Sequence, residues 1–530
     1  MKHIELYDTT LRDGSQAEGI SFSLRDKCQL AEHLAKLGFD FVEGGYPASN
    51  DKDADFFRRM ACHSFPETGT KICAFGMTHR KGVSASEDSG LAALLGSQAQ
   101  VITMVGKSSR FQVEDILRCS LDENLAMIAE STAFLRGAGR EVIFDAEHAF
   151  DGFRCDPKYF IECLKAAETA GASRVVLCDT NGGTLPGEIY EIVKKVVSEM
   201  NIPVGIHCHN DCDLAVANSL AAVDAGATQV QGCINGFGER CGNANLISIA
   251  ANLALKKGFD VLAPGAVQSL TDLSRYVYEM VNMHAPVNQP FVGKSAFAHK
   301  GGMHVSAVNR NSCSYEHIDP AAVGNERRIL VSELSGRSNI VAMAKKHHIE
   351  NDPQLLERIL EDVVARESMG YSYEAADGSF DLLVKKCSGS IRSHFDVIKY
   401  HVNMTGRNKG DESRIYTEAI VKLVVNGETL YEVADGDGPV NALDSALRKA
   451  LVHRFPSLKK LQLTDYKVRV INSEAGTAAG VRVIIESKDE TETWGPVGVS
   501  ENVVEACWIA LTDSFEYKLF KDEEEKKNAG

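Results

Sequence analysis

Two histidines one residue apart, His207 and His209, close the apolar run Ile202-Pro-Val-Gly-Ile-His-Cys-His-Asn-Asp211. Side chains of an extended strand alternate faces, so both imidazoles point one way and Cys208 the other. Far upstream, the first apolar run of the chain ends in Tyr7-Asp-Thr-Thr-Leu-Arg-Asp-Gly-Ser-Gln16. Two same-face imidazoles brought to the carboxylate of Asp13 have the donor set of a divalent-metal site, and Arg12 offers a cation to an anionic substrate. An isolated His-x-His is as readily a pair of ordinary strand-end histidines. The surrounding pattern decides between the two.

That pattern is a recurrence. After Ile4-Glu-Leu-Tyr-Asp8, short β-rich runs return at Phe39–Glu43, Lys71–Phe75, Gln100–Val105, Glu141–Asp145, Arg174–Cys178, Val204–His207 and Gln229–Ile234. Stretches of helical spacing separate them, such as Lys27–Leu37 and Tyr159–Glu168, and several helices stop at a glycine (Gly38, Gly171, Gly226). Eight strands alternating with helices over about 250 residues predict an α/β fold, a (β/α)8 TIM barrel. Such barrels build their active sites at the C-terminal ends of the strands. Arg12 and Asp13 follow strand 1, Glu43 lies on strand 2, Glu147 follows strand 5, Thr180 follows strand 6, the histidines end strand 7 and Asn243 follows strand 8. Asp145 and Glu147 are two apart and share a face. Paired carboxylates in a partly buried mouth push one pKa upward, which suits a general base.

Composition sets limits. A chain of 530 residues can hold two or three domains. A net charge of −16 argues against nucleic acid and anionic membranes as partners. No apolar stretch reaches membrane-spanning length, and the start of the chain has no signal-peptide pattern. Fourteen cysteines with no Cys-x-x-Cys pair read as reduced thiols of a cytoplasmic protein. Gly236-x-Gly238 lacks the spacing and the acidic partner of a dinucleotide loop, so nicotinamide binding is rejected.

Past the barrel, Ala285–Phe291 is a proline-bearing linker, followed by a segment rich in His, Tyr and Gly that contains His304 and Tyr315. A helical subdomain is expected over 340–369. From about Asp396 a strand–strand–helix pattern occurs twice, each copy with a Gly-Pro-Val turn (Gly438-Pro-Val-Asn441 and Gly495-Pro-Val-Gly498) placed just before a helix. Each copy leaves sheet edges uncovered, so pairing of the copies, and of two chains in a homodimer, is expected. The expected domains are 1–270 (catalytic barrel), 271–385 (linker and helical subdomain), 386–520 (duplicated α+β regulatory domain) and 521–530 (a solvated, charged tail).

Three blocks carry a resemblance: Tyr7-Asp-Thr-Thr-Leu-Arg-Asp-Gly-Ser-Gln16, His207-Cys-His-Asn-Asp211 and Gly236-Phe-Gly-Glu-Arg-Cys-Gly-Asn243. They resemble the signature blocks of the family that contains 2-isopropylmalate, homocitrate and citramalate synthases. The likeness covers essentially the whole chain. Glu43-Gly-Gly-Tyr-Pro-Ala-Ser-Asn50, Phe144-Asp-Ala-Glu-His-Ala-Phe-Asp-Gly152 and Asp319-Pro-Ala-Ala-Val-Gly-Asn325 look most like the citramalate branch.

The resemblance implies a Claisen condensation of acetyl-CoA with a 2-oxo acid, pyruvate in the citramalate branch, followed by thioester hydrolysis. It implies a divalent cation (Zn, Mn or Mg) on Asp13, His207 and His209, with Asn243 as a weaker ligand. Arg12 would stabilise charge on the ketone oxygen or enolate, Glu147 would act as base, and Thr180 would bond the substrate carboxylate unless it is an ordinary strand-end cap. His304 and Tyr315 would position the acetyl group or activate water, with a purely structural role as the alternative. Isoleucine is the implied effector. The rivals are the same chemistry on 2-oxoisovalerate, a lyase running the bond backwards, and a silent amino-acid sensor; the regulatory-type tail weighs against the lyase, and the full metal set with Arg12 and Glu147 against the sensor.

Overall fold

The computed structural model describes residues 2–61, 63–330, 352–373, 376–389, 392–409, 412–471 and 473–529. Eight parallel strands close on themselves: β1 Glu5–Asp8, β2 Phe41–Gly45, β3 Lys71–Met77, β4 Val101–Lys107, β5 Glu141–Glu147, β6 Arg174–Asp179, β7 Val204–Cys208 and β8 Gln229–Gly232. Closure comes from β1, which pairs with β2 on one side and β8 on the other. The strands form because each run buries both faces. Tyr7, Phe41, Cys73, Val101, Ile143 and Val176 fill the barrel interior, while residues such as Leu6, Val42 and Phe144 pack outward in the core shared with the helices.

The first helix, Leu24–Leu37, shows how the crossovers are set. Ser23 and Asp26 form a reciprocal capping box, Leu30, Ala31, Leu34 and Leu37 face the core, and Gly38 ends the helix in the left-handed region at φ 84°. Burial of each such leucine is worth roughly 1.5–3 kcal/mol. A Cβ at Gly38 would lie 2.5 Å from the backbone nitrogen of Ala263, so glycine is required there by conformation and by space. Gly171 and Gly226 hold positive φ at their expected helix ends as well.

The floor of the barrel is ionic. Arg174 reaches Glu5 at 2.5 Å and Glu141 at 2.6 Å, Lys71 reaches Glu141 at 2.7 Å, and Gln229 donates to Glu5 at 3.2 Å. The barrel unit spans 1–297 together with 318–326. It therefore runs past the boundary expected at 270: Leu270, Leu273 and Val277 of the helix Leu270–Met280 belong to the barrel core.

The second unit spans 298–317 and 327–530. It contains a short parallel pair, β9 Ala298–His299 with β10 Arg328–Ile329, and the helices Gly302–Arg310, Pro353–Ser368 and Asp377–Cys387. Residues 340–351 of the expected helical subdomain lie outside the described residues. The C-terminal repeat is richer than the sequence reading. In the first copy β11 Asp396–Lys409, β12 Glu412–Val425 and β13 Glu428–Gly436 precede the helix Pro439–Leu451; in the second, β14 Gln462–Val470, β15 Val481–Lys488, β16 Thr493–Trp494 and β17 Val497–Ser500 precede the helix Val503–Ala529.

Two expectations are corrected here. Gly495-Pro-Val does not precede a helix, because β17 begins at Val497; the N–H groups of Gly495 and Val497 are already taken by Asp377 Oδ1 and Ser379 Oγ. The run at 521–527 is not a separate tail but part of the last helix, with Glu523, Glu525 and Lys526 exposed. Lys521 pairs with Glu492 and Glu524 with Lys385, and these cross-element ion pairs tie its charges to neighbouring elements.

Candidate metal centre and active site

The turn after β1 presents Arg12 and Asp13 to the ends of β2 and β7. Asp13 Oδ2 lies 3.3 Å from Nε2 of His207 and 3.9 Å from Nε2 of His209. All three residues are buried, and one ligand atom from each falls within 4.8 Å of the others. Burial would raise the carboxyl pKa of Asp13, but Arg12 and the two imidazoles outweigh it and hold that group well below the usual carboxylate range. His209 is pushed down to about 4, by burial first and then by the charge of His207, so it stands as a neutral nitrogen ligand at physiological pH.

The surroundings fit a cation. His207 Nδ1 lies 3.0 Å from Gln231 Oε1, so Nδ1–H donates there and Nε2, which faces Asp13, is the nitrogen that would ligate a metal once the metal displaces its proton. Asn243 forms a backbone bridge with His209, and its Oδ1, like Nδ1 of His209, is buried with no protein hydrogen-bond partner. Buried polar atoms without partners are costly, and a metal or its water shell would satisfy them. One carboxylate, two imidazoles and a carboxamide oxygen suit zinc or manganese better than magnesium.

Beside this cluster Arg12 is fixed from two directions. Its Nε donates to Glu43 Oε1 at 2.5 Å, and its guanidinium lies 3.8 Å from the centre of the Phe75 ring. Glu43 is wholly buried and also accepts from the Tyr7 hydroxyl at 2.7 Å. With Nε held by Glu43 and Nη1 3.7 Å from Asp13 Oδ2, Arg12 lines a cavity of about 280 Å³.

Asp145, Glu147, Thr180, His207 and His209 line that same cavity. Both carboxylates of β5 thus face the site, and they differ. Asp145 is buried, and burial, with the charge of Glu43 added, pushes its pKa up to about 7 against the pull of His207. Gln231 Nε2 donates to its Oδ1 at 3.1 Å. Glu147, about one quarter exposed, forms an ion pair with Lys107. The raised pKa expected of one member of the pair therefore falls on Asp145. Thr180 Oγ1 accepts the N–H of His148 at 2.9 Å, the cap-like role; its own O–H is left to donate.

His304 and Tyr315 lie in the second unit, where their rings stack with centroids 4.2 Å apart, and Tyr315 is half-exposed. Every described cysteine is a free thiol, and Cys208, pointing off the metal face, is not in the cluster. Sequence reasoning passed over Lys107 and Gln231. The signal for Gln231 was present, since two glutamines alternate in the four-residue strand Gln229-Val-Gln-Gly, where an apolar pair would be ordinary. The partner of Glu147 needed the β4–β5 register.

The HMGL-like family model matches residues 3–277, the homocitrate synthase post-HMGL domain-like model 291–369, and the LeuA allosteric (dimerisation) domain model 374–519. The chain is similar to the (R)-citramalate synthase of Aquifex aeolicus, 52% identical over 98% of this chain and 99% of that protein. It is likewise similar to the (R)-citramalate synthase of Geobacter sulfurreducens, 49% identical over 99% of each. A protein described as a probable 2-isopropylmalate synthase of Methanopyrus kandleri is 31% identical over 95% of this chain and 96% of its own length. With full-length likeness at this level and the three family models in series, the chain belongs to the citramalate synthase family.

Proposed function

We propose that the protein condenses acetyl-CoA with pyruvate and hydrolyses the thioester, releasing citramalate and CoA. The observation that carries this reading is the convergence of Asp13, His207 and His209 with Arg12 and two carboxylates on one small cavity. A divalent cation held by Asp13, His207, His209 and Asn243 would supply Lewis acidity to the oxo acid. Arg12 stays charged at any working pH and serves to stabilise negative charge on the substrate oxygens. The carboxylate of Glu147 removes a proton from the acetyl methyl, and the carbanion attacks the ketone carbon. Asp145 is the alternative base, since its raised pKa suits proton transfer near neutrality. The Thr180 hydroxyl donates to the substrate carboxylate. His304 and Tyr315 serve acetyl positioning or the attack of water on the thioester.

The LeuA-type domain supports a regulatory reading in which isoleucine is the effector and two chains form a homodimer. Among the described residues no helix is long and apolar enough to cross a membrane; we propose a cytoplasmic setting. The test is release of free CoA thiol over a panel of 2-oxo acids from glyoxylate to 2-oxoisovalerate, after chelation and resupply of zinc, manganese or magnesium. Pyruvate should give the highest kcat/KM, with activity abolished by the chelator. A preference for 2-oxoisovalerate, or full activity after metal removal, would overturn the reading.

A further inference from the structure

We propose that Lys107 is a positioning residue for Glu147, an ammonium on the neighbouring strand that holds this carboxylate aimed into the barrel mouth. The inference rests on the reading of Glu147 as the base that takes the acetyl proton.

Lys107 and Glu147 are register partners at the last paired position of β4 and β5. Lys107 Nζ donates to Glu147 Oε2, and both side chains line the cavity that holds Arg12 and the histidines. The pair is mostly shielded, at 16% and 25% side-chain exposure, so solvent screens it less than a surface ion pair. The strand ends beneath it are locked. Ser108 Oγ donates to the carbonyl of Glu147 at 2.7 Å, and Asn124 Nδ2 donates to the carbonyl of Lys107 at 2.9 Å. Directly after Glu147 the chain turns through His148 at φ 54°, whose N–H is held by Thr180. The backbone is thus fixed and the remaining freedom of Glu147 lies in its own torsions, which Lys107 restrains. Arg12 is engaged elsewhere, with Nε on Glu43 and Nη1 3.7 Å from Asp13 Oδ2. A base displaced by about 1 Å can lose up to about 100-fold in rate.

The experiment compares Lys107→Gln, Lys107→Arg, Glu147→Gln and the double variant Lys107→Gln/Glu147→Gln in the full chain with saturating metal. Thiol release gives kcat and KM for pyruvate; deuterium uptake into the methyl of acetyl-CoA gives proton removal directly. Lys107→Gln should lower kcat and deuterium uptake by roughly 10- to 100-fold, with pyruvate KM within about threefold of the parent. Lys107→Arg, which restores the charge, should recover most of the loss. In the Glu147→Gln background Lys107→Gln should cost nothing further. Parental kcat in Lys107→Gln, or an equal fall in both backgrounds, overturns the inference while an inactive Glu147→Gln leaves the base assignment standing. A large rise in pyruvate KM at unchanged kcat also overturns it, and would make Lys107 a substrate ligand. Parental deuterium uptake in Glu147→Gln sinks the base assignment itself, and the inference with it.

Discussion

Gln231 is the position from which the candidate metal centre can be loosened without touching any of its candidate ligands. Its carboxamide is wholly buried, accepts from Nδ1 of His207 at 3.0 Å and donates to Asp145 at 3.1 Å. Gln231→Leu keeps similar volume and removes both bonds. His207 then lacks the acceptor that fixes its tautomer, and loss of such a partner lowers metal affinity about 10- to 100-fold, or about 1.4–2.7 kcal/mol. Two buried polar groups are also left without their partner, at roughly 1–3 kcal/mol each, which lowers the stability of the folded protein. Gln231→Glu separates the two effects. It keeps an acceptor for His207 but sets a second carboxyl against Asp145; a shared proton accommodates both at low pH, and repulsion grows as that proton leaves. Competition with a chelating indicator between pH 6 and 8 reads the affinity, and denaturant midpoints read stability. Gln231→Leu should bind metal weakly at every pH, whereas Gln231→Glu should keep its metal affinity, because a carboxylate still accepts from His207, and lose metal-free stability progressively as pH rises. Metal affinity within twofold of the parent in Gln231→Leu would refute the claim that this bond orients His207.

Asp145 makes a pH prediction of definite sign. Its pKa is raised to about 7 in the folded chain from an ordinary 3.8, so the folded state holds the proton more tightly. Its contribution is fully present below about pH 4 and is lost as pH rises through about 7. Asp145→Asn should therefore flatten the fall in metal-free stability between those values, measured by urea midpoints; an unchanged slope refutes the shift. Gly38→Ala should destabilise by roughly 2 kcal/mol or more, from left-handed strain plus the approach to Ala263, and a denaturation midpoint equal to the parent's would contradict the geometry. Calorimetric titration of the full chain with isoleucine, leucine and valine should show saturable binding of isoleucine and a matching fall in kcat. Leucine binding in its place would reassign the effector.

The barrel was legible because buried parallel strands are short apolar runs, and recurrence with helical spacers leaves few alternatives. Strand ends moved by a residue or two, as at Phe41 rather than Phe39, without changing which side chains face inward. The metal cluster was legible because His207 and His209 share a strand face and Asp13 sits at the matching end of β1. The pairings of Lys107 with Glu147 and of Gln231 with Asp145 were not, since each needs the relation of separate strands. In the C-terminal repeat the strands most exposed to solvent escaped notice. Every residue of β14 is at least partly exposed, so the apolar–polar alternation of Tyr466-Lys-Val-Arg-Val470 marks no buried face. The terminal run of Lys and Glu misled for a related reason: it continues the last helix, and Lys521 and Glu524 pair with other elements.

The ionic floor of the barrel has a kinetic side. The contact of Gln229 with Glu5 joins positions 224 residues apart, and β1 pairs with β8 across the same gap. Loop closure of that length comes late, because its entropy must be met before the contact is made. During synthesis the first strand therefore waits for nearly the whole barrel to emerge. Asp13 and the two histidines are brought together only with that closure, so their cluster is among the last parts of the barrel to form.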